Sequence, residues 1–268
     1  LVAGHVDHGK STLIGRLLAD TGSLPQGKIE AVSKSCKKRG MDFEWAFVMD
    51  ALQAERDQNV TIDASYIRLK HRAREVLLID APGHKEFLRN MITGAAEADA
   101  ALLVVDAEEG ISEQTKRHAE LIALLGLREV FVAITKMDRL AYRKQAFAAL
   151  EKQCRTYLKT LGLIPKHIIP VSAKEGEGLT QRSARMSWYK GPYLMQALAA
   201  FRPQKTRALP LRFSVQDVYK SGAKRIVAGT VESGKLRVGD TLLFSPSNAQ
   251  AKIKTLEAWP TSNQKIAE

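Results

Sequence analysis

Nine residues near the start of the chain, Gly4-His5-Val6-Asp7-His8-Gly9-Lys10-Ser11-Thr12, have the types and spacing to hold a triphosphate. They fit the pattern G-x-x-x-x-G-K-[ST], in which glycines let the backbone curl into a nest of N–H donors around phosphate oxygens. Lys10 is placed to reach the β- and γ-phosphates, and Ser11 offers a hydroxyl to a magnesium ion. His5, Val6, Asp7 and His8 shape the same loop, with Thr12 just after it. His5 and His8 could also be read as a metal pair around Asp7, but a loop that must bend around phosphate accounts for them more simply.

Three further motifs extend the chemistry. Asp80 ends the apolar run Val76-Leu77-Leu78-Ile79 and precedes Ala81-Pro82-Gly83-His84. An acid at the end of a buried strand is where a magnesium-shell carboxylate belongs in a phosphate-loop enzyme. A strand-ending Asp before a Pro-Gly turn is the plainer reading, and the upstream loop tips the balance toward function. Thr135-Lys136-Met137-Asp138 and Ser172-Ala173-Lys174 follow later apolar strands. A carboxylate such as Asp138 can accept from both N1–H and the exocyclic amine of guanine, a donor pair that adenine lacks. A polar site left unpaired by the wrong ligand discriminates by about 10⁴-fold or more. The expected ligands are therefore GTP and GDP with Mg²⁺. Lys136 is expected to lie along the base plane, and the Ala173 N–H to serve the guanine oxygen.

These residues need a frame to bring them together, and the hydrophobic pattern supplies one. A short strand at Leu1-Val2-Ala3 leads into the phosphate loop, and an amphipathic helix runs from Ser11 to Asp20 with Leu13, Ile14, Leu17 and Leu18 on one side. That helix points its N-terminus at the phosphates. A first strand of three residues is short for a buried parallel strand of about five or six, so the polypeptide is expected to continue upstream. Thr21 to Gly40, rich in Gly, Ser, Lys and Pro, reads as a mobile surface segment, followed by a helix from Glu44 to Gln58 and a strand beginning within residues 59–66.

Downstream, a regular alternation is expected: helix Lys85 to Ala95, strand Ala101 to Val105, helix Ser112 to Leu125, strand Val130 to Ile134, helix Tyr142 to Leu161, strand His167 to Val171 and helix Tyr193 to Phe201. Alternating apolar strands and helices mean a parallel sheet covered on both faces, so the fold class is α/β of the phosphate-loop kind. Ligands of such sheets bind beyond the carboxyl ends of the strands, which gathers the Gly4 loop, Asp80, Thr135 and Ser172 around one crevice. From Leu209 onward, short strands separated by glycine turns indicate a β-barrel domain, incomplete in these residues. The expected domains are residues 1–204 for the nucleotide and 209–268 for the partial barrel.

Composition narrows the class. The 268 residues carry 41 Lys and Arg against 29 Asp and Glu, a net charge of +12 that could attract RNA or an acidic protein surface. The basic residues are spread along the chain without interleaved aromatics, so a nucleic-acid partner is the less favoured reading. Hydrophobic residues make up 45%, enough for a sizeable core, yet no apolar run approaches the roughly 18 residues of a membrane span. The expected location is cytoplasmic, with no membrane partner. Cys36 and Cys154 are far apart with no metal-binding spacing, and read as plain thiols.

Taken together, the Gly4 loop, Asp80 to His84, Lys136 with Asp138, Ser172-Ala173-Lys174 and Glu55 to Asp63 resemble the translational GTPases of the elongation factor Tu and 1-alpha kind. The finer likeness is to the GTPase (large) subunit of bacterial sulfate adenylyltransferase, including the form fused to adenylylsulfate kinase. It rests on Asp50 to Arg56, Thr93 to Ala96, Asp106 to Gly110, Met186 to Pro192, Val215 to Lys220 and Ile226 to Gly234. The resemblance implies a GTPase that couples hydrolysis to synthesis of adenylylsulfate from ATP and sulfate, with a separate small adenylyltransferase subunit as partner. The alternative is an elongation-factor-like GTPase that binds aminoacyl-tRNA and the ribosome.

The resemblance also implies roles. Thr61 would meet magnesium and the γ-phosphate, Gly83 would give its N–H to the γ-phosphate, and His84 would position the attacking water beside a gate of Val6 and Val60. Lys10, Thr61, Gly83 and His84 form the expected catalytic set, and Ser11, Thr61 and Asp80 the magnesium set. Two departures stand out. Thr135 replaces the family's usual Asn, and one hydroxyl cannot both bridge to the Gly4 loop and donate to the base, so weaker GTP binding is expected. Asp7-His8-Gly9-Lys10 follows the elongation factors, where the sulfurylase relatives commonly carry Asp-Asp-Gly-Lys.

Overall fold

The structure is a computed structural model that describes residues 1–57, 65–71, 74–80, 98–202, 210–221, 224–257, 262–264 and 266–267. It divides into two compact units, Leu1–Phe201 and Arg202–Glu268.

The first unit is built on six strands: β1 (Val2–Gly4), β2 (Ser65–His71), β3 (Arg74–Asp80), β4 (Ala101–Asp106), β5 (Val130–Thr135) and β6 (Pro165–Pro170). They lie in the order β2-β3-β1-β4-β5-β6. β1, β3, β4, β5 and β6 are mutually parallel, with Val2 opposite both Asp80 and Leu102. β2 runs antiparallel to β3 at one edge, so the sheet is mostly parallel rather than wholly so.

The central strands alternate side chains between two separate cores. Leu103, Val105, Val132 and Ile134 pack on one face with Ile122, Phe147 and Leu158. Leu102, Val104, Phe131 and Ala133 pack on the other with Leu13, Ile14, Leu17, Met49 and Met195. A strand buried on both faces reads as a near-continuous apolar run, and β4 and β5 are buried throughout, with only their terminal Asp106 and Thr135 polar. The helices of this unit are α1 (Lys10–Asp20), α2 (Lys28–Lys38), α3 (Ala46–Asp57), α4 (Glu113–Leu124), α5 (Lys144–Thr160) and α6 (Leu194–Ala200), and all but α2 supply the two cores. No helix among the described residues is long and apolar enough to cross a membrane.

Two expectations change. The segment Thr21 to Gly40 contains α2, whose Val32 and Cys36, one turn apart, bury against Val48 in a small third core. Two apolar residues among lysines are a weak helical signal, and the flanking glycines outweighed it. The helix expected from Tyr142 begins at Lys144, because Ala141 and Tyr142 take positive φ of 48° and 56° in the turn before it. The helix expected over Lys85 to Ala95 lies outside the described residues, as do residues 58–64. Both cysteines are free and buried, and burial pushes the Cys154 thiol up to about 12, which suits a packing role.

In the second unit the strands pair antiparallel, two by two. β7 (Arg212–Ser221) pairs with β8 (Lys224–Ser233), β9 (Leu236–Arg237) with β14 (Ile266–Ala267), β10 (Thr241–Phe244) with β11 (Ala249–Lys252), and β12 (Leu256–Glu257) with β13 (Ser262–Gln264). The β7–β8 hairpin carries register shifts between Arg212 and Phe213 and between Val215 and Asp217.

Candidate nucleotide site

The Gly4 loop joins β1 to α1 through a single tight turn, Val6–His8. Gly9 follows with φ of 82°, a left-handed conformation that suits glycine, and its carbonyl accepts from the Leu13 N–H at 2.8 Å to start α1. The loop is pinned from below. His8 is fully buried; its Nδ1 lies 3.2 Å from the Val104 carbonyl and its Nε2 2.9 Å from Glu109 Oε2. The His5 ring meets the His8 ring edge-on at 5.3 Å. With both its nitrogens engaged, His8 has no lone pair turned outward, so the metal-pair reading of His5 and His8 falls.

Lys10 opens α1, and its Nζ sits 3.5 Å from Asp80 Oδ1 at the end of β3. That contact is a long ion pair and not a well-formed hydrogen bond, so Oδ1 is buried without a hydrogen-bond partner. Burial pushes the Asp80 carboxyl above the ordinary carboxylate range, and Lys10 only partly offsets it. An orphaned, desolvated carboxylate oxygen beside a phosphate loop fits a hard cation, which takes oxygen ligands. Ser11, the second residue of α1, stands on the same loop.

The base end is organised around Thr135. Its hydroxyl donates to the His8 carbonyl at 2.7 Å and lies 3.1 Å from the Val105 carbonyl. The residue is buried, so the hydroxyl proton is committed to the phosphate loop. The bridging role usual for Asn is kept, and the second role, donation to the base edge, has no donor here. Lys136 follows with φ of 58°, which turns its side chain back so that Nζ pairs with Asp106 Oδ2 at 2.6 Å. Asp138 accepts from the Ser172 hydroxyl at 2.5 Å, which joins the two base motifs directly. Ser172 is fully buried and its backbone N–H donates to the Glu177 carbonyl at 3.0 Å, closing the turn that carries Ala173 and Lys174.

Two residues with work at this site were not assigned roles from sequence. Asp106 ends β4 as Asp80 ends β3, which is the signal that could have found it. It is buried; burial pushes its carboxyl up, but the Lys136 ammonium and the Glu108 and Glu109 amides pull it below the usual range, and the pull wins. Glu109, three residues on, holds His8. Thr61, Gly83 and His84 lie outside the described residues, as does Val60 with the side chain of Val6. Among the remaining histidines, His118 is buried, and His167 stacks on Phe131 at 6.3 Å.

The sequence pattern of the family described as the elongation factor Tu GTP binding domain matches residues 1–204. Elongation factor 1-alpha of Pyrococcus furiosus is 44% identical over 262 residues, which cover 95% of this chain and 61% of that relative. The elongation factor 1-alpha of Thermococcus gammatolerans is likewise 44% identical, with the same coverage. The chain thus spans 61% of the length of the curated relatives it matches. Among solved structures, the Saccharomyces cerevisiae Ski7 GTPase-like domain bound to GDP and inorganic phosphate is similar with a TM-score of 0.62 at 16% identity, covering 99% of this chain and 67% of that one. Sup35 complexed with GDP gives 0.54 at 24% identity, covering 99% of this chain and 59% of that one. These two likenesses bear on the fold alone.

The sulfate adenylyltransferase expectation is overturned by these relatives, and with it the small adenylyltransferase subunit as partner; the alternative, an elongation-factor-like GTPase, is the better supported. The finer likeness rested on short stretches, Asp50 to Arg56, Thr93 to Ala96, Asp106 to Gly110, Met186 to Pro192, Val215 to Lys220 and Ile226 to Gly234, and such local identities do not outweigh a likeness to elongation factor 1-alpha that runs over 95% of this chain. His8 carried the distinguishing information: as part of Asp7-His8-Gly9-Lys10 it matched the elongation factors, and the structure gives it a packed place against Val104 and Glu109.

Proposed function

The chain belongs to the elongation factor Tu GTP-binding domain family, and from that premise we propose that its protein is a GTP-hydrolysing factor of the translation elongation kind, with aminoacyl-tRNA and the ribosome as partners. The nucleotides of this family are GTP and GDP, bound with Mg²⁺. The likeness to elongation factor 1-alpha, 44% identical over 95% of this chain, carries the translation half of the reading, and the joined arrangement at the ends of β1, β5 and β6 carries the nucleotide half. Thr135 ties the base side to the phosphate loop at His8, and Ser172 holds Asp138.

Lys10 would neutralise phosphate charge, while Ser11 and Asp80 would hold a magnesium ion, whose part when bound is to draw charge off the phosphate oxygens. Thr12 continues the first turn of α1 beside them. Asp138 reads the guanine N1–H and amine, Lys136 flanks the base, and Ala173 gives its N–H to the guanine oxygen next to Lys174. Gly9 and the His5 to His8 backbone wrap the phosphates. Thr61, Gly83 and His84 complete the set in the roles the family resemblance implies, His84 steering the attacking water.

Turnover by the full-length protein tests this. Ribosomes should stimulate its GTP hydrolysis at least tenfold, and ATP with sulfate and a small adenylyltransferase subunit should leave it unchanged. Stimulation by ATP and sulfate alone would overturn the proposal. Thermal stabilisation by GDP but not ADP would support the nucleotide half independently.

A further inference from the structure

Arg16 lies on α1, six residues past Lys10, and no role in nucleotide chemistry falls to it from the motifs. Its guanidinium nevertheless meets three separate parts of the first unit. Nη1 donates to the Lys174 carbonyl at 3.0 Å. Nε donates to Asp20 Oδ1 at 2.7 Å. The guanidinium carbon stands 5.0 Å over the Trp45 ring.

Two glycines leave room for this joint. A Cβ at Gly176 would come within 2.1 Å of Arg16 Nη2, so the guanidinium occupies the space beside the Ser172 to Glu177 turn. A Cβ at Gly15 would come within 2.2 Å of the Trp45 carbonyl, so α1 and the segment leading into α3 touch backbone to helix. An exposed arginine paired with Asp20 one turn away would be worth little by itself. Here the side chain is only 20% exposed, and its guanidinium lies over the Trp45 ring while donating to a backbone carbonyl. That combination is the one Arg provides and Lys does not.

We infer that Arg16 is a positioning residue for guanine: by holding the Lys174 carbonyl it fixes the Lys174–Glu175 peptide of the closed Ser172 to Glu177 turn, and through that turn sets where the Ala173 N–H points, toward the guanine O6. Trp45 braces the guanidinium, which ties the position of the base turn to the segment that leads into α3. The inference deepens the GTP reading above and rests on it.

The test compares the full-length protein with Arg16→Ala and Arg16→Lys by fluorescence titration with GDP, ADP and the diphosphate of 2-aminopurine riboside. The last keeps the exocyclic amine of guanine but lacks both O6 and the N1–H, so inosine diphosphate, which keeps O6 and N1–H and lacks only the amine, is titrated beside it: its affinity relative to GDP should stay unchanged in Arg16→Ala, whereas a displaced Asp138 would alter it. Wild type should prefer GDP to ADP strongly. Arg16→Ala should lower the ratio of GDP affinity to 2-aminopurine diphosphate affinity about tenfold, because only the O6 contact is misplaced. Arg16→Lys keeps the charge and the Asp20 pair, so it tests the planar fork without risk to the fold, and it should lose a similar part of the ratio. A merely structural role would weaken both ligands in proportion. If wild type prefers GDP and Arg16→Ala leaves the ratio unchanged, the inference is wrong and the GTP reading stands. If wild type does not separate GDP from ADP, the GTP reading fails and takes the inference with it.

Discussion

Thr135 shows how one side chain divides a task. Its hydroxyl proton goes to the His8 carbonyl, which leaves the phosphate loop tethered and the base edge without a donor. Restoring an amide should restore the missing contact, so Thr135→Asn should bind GDP about tenfold more tightly, a gain of about 1.4 kcal/mol in calorimetry. Thr135→Val keeps the shape but removes the tether and should weaken binding; unchanged affinity in both variants would show that the hydroxyl does nothing for the nucleotide.

Asp80 makes the opposite bargain. Its carboxyl titrates above the ordinary value because it is buried, so the folded state resists its ionisation. The sign follows: stability is lost as pH rises from the unfolded value through the raised folded value, and the cost is absent below that interval. Asp80→Asn should therefore raise the thermal midpoint of the metal-free chain by about 2–4 °C, if about 1 kcal/mol is recovered. The same variant should lose the extra stabilisation that Mg²⁺ adds to GDP. A variant that melts lower without metal would mean that the pair with Lys10 outweighs burial.

At the scale of elements, the site depends on how closely α1 can lie against its neighbours. Alanine is ordinarily better than glycine inside a helix by about 1 kcal/mol. Gly15 should reverse that rule, since its added methyl would run into the Trp45 carbonyl. Overpacking costs about 1–3 kcal/mol, so Gly15→Ala should lower the thermal midpoint by about 4–8 °C once the shift of α1 is included. A rise would mean that α1 and α3 separate freely.

The elements also show what a single sequence conveys. The alternation of Leu102 to Val105 and Val130 to Ile134 marks strands buried on two faces, and those strands fall where the pattern placed them. Phosphate and base loops are legible because their chemistry is carried by adjacent residues. α2 was not, since Val32 and Cys36 are its only buried positions and their partner Val48 is distant in sequence. Asp106 with Lys136, Glu109 with His8, and Arg16 with Lys174 pair residues 30 or more positions apart, and no local spacing announces them.

For the whole molecule, nucleotide chemistry and partner choice are separable properties. Residues that wrap phosphate and read guanine serve any member of the superfamily, which is why they could not decide between a sulfate-assimilation subunit and an elongation-type factor. The net charge of +12 belongs to the second reading, in which partners are polyanions. If RNA is the partner, the affinity of the full-length protein for aminoacyl-tRNA should fall by about 10³-fold or more between 50 and 200 mM salt, with a linear log–log slope. Salt-independent binding would point to a protein partner instead. All of this presupposes the nucleotide. The most direct measurement is a calorimetric titration of the full-length protein with Mg²⁺·GDP and Mg²⁺·ADP. One GDP per chain, with ADP weaker by about 10⁴-fold or more, is the expected result; comparable affinity for the two would contradict the account at its centre.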